Sequence, residues 1–79
     1  MEISEVTITL TEIFRTIFNN SSLILIDELT ANDVENWDSL THMLLIARIE
    51  ESFAIKFKLK ELNKMPNVGE MIKIISSKL

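Results

Sequence analysis

Apolar residues recur at spacings of three and four in three stretches of the chain, and each stretch predicts an amphipathic helix. In the first, Leu10, Ile13, Phe14, Ile17 and Phe18 form a stripe. Thr9-x-x-Glu12 fits a capping box at its start, and Asn19-Asn20 supplies residues that readily end a helix. Ile3 and Val6 carry the stripe backwards, which allows a start nearer Ser4. The second helix is predicted over 39–53. At about 100° per residue, Leu45, Ile46, Ile49 and Phe53 fall on one side with His42 among them. Leu40, Met43, Leu44 and Ala47 fall on the opposite side, flanked by Glu50 and Glu51. The last helix follows Pro66. Asn67-x-x-Glu70 repeats the capping box, and Val68, Met71, Ile72, Ile75 and Leu79 make its stripe.

The intervening segments are less regular. Residues 21–38 read as a long connector, pinned by Leu23, Leu25 and Leu29 and otherwise rich in turn-forming and capping residues. A connector this long in so small a domain points to a functional loop. Trp37, at its end, is too large to leave in water and is expected to pack under the loop or beside the second helix. Phe53, Ile55, Phe57 and Leu59 alternate with Ala54, Lys56, Lys58 and Lys60, a period-two signal typical of a strand. No second strand is available to pair with it, so 54–57 is read as an extended crossover and 58–63 as one short helical turn or two. The predicted fold class is all-α: a small four-helix bundle of three main helices plus one short helix, with a long loop between helices 1 and 2. Residues 1–79 form a single domain.

The two apolar sides of the second helix raise a question. One is needed for the core; the other has no obvious partner in so short a chain, and rimmed by acids it reads as a docking surface. The alternative is a central helix buried all round.

Composition narrows the function classes. There is no cysteine and only one histidine, which excludes disulfides, a thiol nucleophile and a clustered His/Cys metal site; no metal is expected. A single glycine rules out a glycine-rich phosphate loop. No apolar run approaches the roughly 20 residues needed to span a bilayer, and no basic segment precedes an apolar one at the N-terminus. A cytoplasmic monomer without membrane insertion is therefore expected. The net charge of −4 is unevenly spread. Residues 1–55 carry ten acids against Arg15 and Arg48, whereas 56–79 carry six lysines against Glu61 and Glu70. The acidic part suits basic partners and disfavours nucleic acid.

Asp38, Ser39 and His42 contain the residue types of a hydrolytic triad. Asp38, however, precedes the serine and is poorly placed to orient the far side of the imidazole, and little chain is left for a substrate cleft. No catalytic residue is assigned, and the chain is not expected to be an enzyme. Taken alone, a serine before an apolar helical run is an N-cap.

The context of that serine is more specific. Trp37-Asp38-Ser39-Leu40, followed by an apolar helix closing on Ile49-Glu50-Glu51-x-Phe53-x-Ile55, resembles the second helix of acyl carrier proteins. Leu25, Asp27, Thr30 and Val34 resemble the family's upstream loop, and Met65-Pro66-Asn67-Val68-Gly69 the entry to its last helix. The resemblance implies that Ser39 is the attachment point of a 4′-phosphopantetheine, delivered from coenzyme A by a phosphopantetheinyl transferase. The arm's thiol would hold acyl intermediates as thioesters. Asp38 would face the transferase's basic surface and the Mg²⁺-bound coenzyme A. Asp38, Leu40, Met43, Leu44, Ala47, Glu50 and Glu51 would form the partner-docking surface. The implied partners are the transferase, an acyl-loading ligase or acyltransferase, and downstream synthases or transferases. Two departures, Thr41 and Leu44 at positions usually acidic in fatty-acid carriers and a lysine-rich third helix, point to a specialised pathway such as polyketide, lipopeptide or surface-glycan acylation. An aminoacyl or peptidyl carrier of the same fold, or an unmodified helical adaptor, are the alternatives.

Overall fold

A computed structural model describes residues 2–79 as an all-helical domain. The elements are α1 (Ile3–Ile17), a 3₁₀ turn (Ala31–Asp33), α2 (Ser39–Phe53), α3 (Leu59–Leu62) and α4 (Val68–Ser77). The core is built from the predicted stripes. Val6, Leu10 and Phe14 of α1, Leu45 and Ile49 of α2, and Val68, Met71 and Ile75 of α4 are wholly buried. α1 packs against both α2 and α4.

The start of α1 corrects the sequence reading. Thr9-x-x-Glu12 is not a cap; it lies in the middle of a helix that begins at Ile3, with Glu2 at the N-cap and no side-chain capping bond. The apolar stripe continues through Val6, whose complete burial holds that extra turn and a half on the core. Tertiary packing outweighs the local capping signal. The other end behaves as asparagine predicts. Asn19 is left-handed (φ 50°), and Asn20 N–H bonds Arg15 C=O at 3.0 Å while Asn19 N–H bonds Thr16 C=O at 3.4 Å. This is a Schellman motif.

The connector is ordered by its own bonds. Thr30 caps the 3₁₀ turn, which the sequence reading did not contain, through a reciprocal pairing with Asp33. Leu29, Val34 and Trp37 are buried and Leu23 and Leu25 half-buried, so the loop is laid onto the core. It is also tied to α4: Val68 N–H donates to Leu29 C=O at 3.0 Å and Gly69 N–H to Asp27 C=O at 2.9 Å. A β-carbon on Gly69 would meet Asp27 Cβ at 3.0 Å and its carbonyl oxygen at 3.2 Å, tighter than ordinary contacts, so glycine lets loop and helix approach this closely without the loop giving way by a few tenths of an ångström.

After α2 the chain turns through Ala54 in the left-handed conformation (φ 56°) and runs extended to α3. No strand forms among the described residues. The alternation of 53–59 instead sends Phe53 and Ile55 into the core and the lysines outward. Glu61, whose carboxyl is held below the usual range by hydrogen bonds from Lys78 and the backbone of Lys58, joins α3 to the end of α4 through a 2.8 Å ion pair.

Candidate functional site

The beginning of α2 is fixed by a reciprocal pairing that does not involve Ser39. Asp38 is the N-cap: its Oδ1 accepts from Thr41 N–H at 3.0 Å, while Asp38 N–H donates to Thr41 Oγ1 at 2.8 Å. The Thr41 hydroxyl in turn donates to Asn36 C=O at 2.7 Å, which closes the loop onto the helix. These bonds to Thr41 hold the Asp38 carboxyl below its ordinary value, so it is ionised at neutral pH. Ser39 is therefore the first helical residue rather than the cap, and its side chain is exposed. Its hydroxyl is left for other chemistry. The simplest structural role for this serine is taken by its neighbour.

Trp37 is buried where the loop meets α2. Its indole lies edge-on to Phe14 at 5.2 Å and tilted to Phe18 at 5.8 Å, and the His42 imidazole is nearly parallel to it, with centroids 6.0 Å apart and an interplanar angle of 19°. The indole Nε1–H donates to His42 Nδ1 at 3.0 Å. His42 is half-buried, and desolvation lowers its pKa below that of a free imidazole. With Nδ1 committed to Trp37 and the Asp38 carboxylate to Thr41, the three triad residue types do not assemble into a relay. The sequence called for burial of Trp37 but did not reveal its bond to His42. The available signal was that a buried indole N–H needs an acceptor.

Ser39 opens onto a shallow groove of about 490 Å³. It is lined by Ala31, Trp37 and Asp38 from the loop, His42 and Met43 from α2, and Met65 and Pro66 from the segment before α4. The lining is mainly apolar, so an extended chain attached to the serine would find a surface to lie on.

α2 divides into the two sides expected. Leu45, Ile49 and Phe53 are buried and His42 and Ile46 half-buried; Leu40, Met43, Leu44 and Ala47 are exposed. The helix is not buried all round. Glu51 is exposed, but Glu50 is half-buried, and its Oε2 accepts from Phe57 N–H at 2.8 Å. Glu50 thus anchors the crossover, a role that sequence spacing does not reveal. Among the described residues no group of three or more His, Asp and Glu is placed to hold a metal ion, and no helix is long and apolar enough to cross a membrane.

No family model and no curated protein sequence matches the chain. Among solved structures, it is similar to the solution NMR structure of the holo acyl carrier protein from Geobacter metallireducens. The two share 44% identity over 91% of this chain and 83% of that one, with a TM-score of 0.86. The chain belongs to the acyl carrier protein family. An acyl carrier presents a substrate to other enzymes, and the features above suit presentation: a rigid helix start, an exposed hydroxyl and an open apolar groove beside it.

Proposed function

We propose that the protein is an acyl carrier whose Ser39 bears a covalent 4′-phosphopantetheine, and that it works in a dedicated pathway rather than in housekeeping fatty-acid synthesis. The observation that carries this reading is the division of labour at the start of α2. Asp38 and Thr41 satisfy the helix end between them, so the adjacent Ser39 hydroxyl is free and exposed at the mouth of the groove. The residues present fit the group. A phosphodiester on Ser39 would sit at a helix N-terminus, where unpaired backbone N–H groups and the helix dipole favour an anion. The pantetheine chain would have Met43, Met65 and Pro66 to lie against.

When bound, the group supplies a thiol that a chain without cysteine otherwise lacks, and with it the capacity to hold an acyl group as a thioester. This chain's own residues do the rest. Ser39 would offer the oxygen that takes the phosphopantetheinyl group from coenzyme A: the new Ser–O–P bond would form as the pyrophosphate P–O bond breaks, adenosine 3′,5′-bisphosphate would leave with that electron pair, and the hydroxyl proton would pass to the transferase. Asp38 fixes the helix start and presents negative charge to a basic enzyme. Leu40, Met43, Leu44 and Ala47 form an apolar contact beside the attachment point, with Glu51 at its edge.

The dedicated pathway is supported by the polarity of the surface. Thr41 is engaged in the cap and Leu44 is exposed where an acid would strengthen attraction to basic partners. Lys56, Lys58, Lys60 and Lys64 are all exposed around α3. The partners are a phosphopantetheinyl transferase, a loading ligase or acyltransferase, and a downstream synthase or transferase.

The test is intact mass after incubation with coenzyme A and a broad-specificity transferase. The wild type should gain one phosphopantetheinyl group, and Ser39→Ala should gain none while keeping its fold, because the cap resides on Asp38. Modification of the alanine variant, or none of the wild type, overturns the reading.

A further inference from the structure

The carrier reading sets two anions side by side at one helix start: Asp38, already ionised and bonded to Thr41, and the phosphodiester on Ser39. A hydrogen-bond donor there would offset their repulsion, and the groove contains one. Indole Nε1 can only donate, so the His42 nitrogen that meets it at 3.0 Å, Nδ1, carries no proton. The neutral imidazole is therefore protonated on Nε2, the nitrogen not engaged by Trp37. His42 lies one turn after Ser39, and helix side chains lean back toward the N-terminus over the preceding turn. Both residues line the same groove.

We infer that His42 donates its Nε2–H to a phosphodiester oxygen of the group on Ser39, with Trp37 as the positioning residue that fixes this tautomer. The inference rests on the carrier reading. The surroundings leave the pair isolated. The 3₁₀ turn contributes Ala31 to the groove and the α3–α4 linker Met65 and Pro66, none of them charged. On the loop and α2, the only titratable side chains in the groove are Asp38 and His42 itself. Trp37 is held in turn by Phe14 and Phe18, so the imidazole's setting is anchored in the core.

The experiment uses apo and holo protein, with loading checked by intact mass. The ³¹P resonance of the holo protein and the ¹⁵N resonances of the His42 ring are followed across about pH 5 to 8, the range in which histidine titrates. In the holo wild type the phosphorus resonance should move with the His42 midpoint, and that midpoint should lie higher than in the apo protein. His42→Gln keeps an acceptor for the indole; loaded, it should show no such phosphorus titration. Trp37→Phe should populate both imidazole tautomers and reduce the phosphorus response. A loaded wild type whose phosphorus ignores the His42 titration, or responds equally in His42→Gln, overturns the inference and leaves the carrier reading standing. A wild type that gains no mass overturns the carrier reading itself, and this inference with it.

Discussion

Exchanging one residue on each side of α2 tests whether the helix serves two purposes. Ile49 is wholly buried between α2 and the core, whereas Met43 is 70% exposed beside the groove. Replacing Ile49 with asparagine forfeits burial worth about 1.5–3 kcal/mol and places an amide without partners in an apolar site, at about 1–3 kcal/mol more. The combined loss of roughly 2.5–6 kcal/mol compares with a total stability of roughly 4–12 kcal/mol for a domain of this length. Ile49→Asn should therefore unfold a large part of the population. For Met43→Gln only about a third of the side chain leaves a dry environment, so the transfer loss stays below about 1 kcal/mol. That corresponds to a fall in Tm of less than about 4–8 °C for a domain of 60–100 residues. Urea and thermal unfolding followed by circular dichroism would separate the two variants. The functional half of the prediction runs the other way. Met43→Gln should slow transfer of the phosphopantetheinyl group or of cargo, because the apolar contact beside Ser39 is weakened. If Met43→Gln proves as destabilising as Ile49→Asn, the two-sided account of α2 is wrong. Unchanged transfer rates would move the docking surface elsewhere, the loop from Leu23 to Trp37 being the next place to look.

Three further expectations follow from the structure. Because burial lowers the His42 pKa below its free value of 6.5, the folded protein binds fewer protons than the unfolded chain just below that pH. The contribution is complete above the unfolded value and lost as pH falls through the folded one; His42→Gln should flatten this part of the urea-midpoint profile, and an unchanged profile would exclude the assignment. Ala54→Gly should stabilise the domain by about 0.5–1 kcal/mol, since Ala54 is an exposed residue held at φ 56° where glycine is at ease; a lower urea midpoint would contradict it. Transferase turnover on this protein should fall as salt rises and fall further for Asp38→Asn, whose amide can keep the cap while removing the charge. A rate indifferent to ionic strength would show that the acidic surface does not guide the encounter.

The amino-acid sequence by itself determined the three long helices, the short one and the two sides of α2, because a 3.6-residue period writes the buried face directly into the spacing of apolar residues. It also singled out Ser39, since the residues around it resemble a known carrier helix over a continuous stretch. What it could not determine was which of several capable groups performs each local task. Thr9 and Glu12 have the spacing of a capping box, yet the burial of Val6 extends α1 beyond them. Asp38 and Ser39 are both good N-caps, and the approach of Thr41 to Asn36 and Asp38 assigns the role to Asp38. Glu50 and Glu51 are equivalent as letters, but only the path of the crossover brings Phe57 N–H to Glu50. Trp37 and His42 are five residues apart, and their bond requires the indole to be wedged against Phe14 and Phe18 from another helix. Periodicity is a property of one segment and can be read in one dimension. Hydrogen-bond partners are chosen among competing donors and acceptors by distances of a few tenths of an ångström, and those distances exist only after the segments have packed.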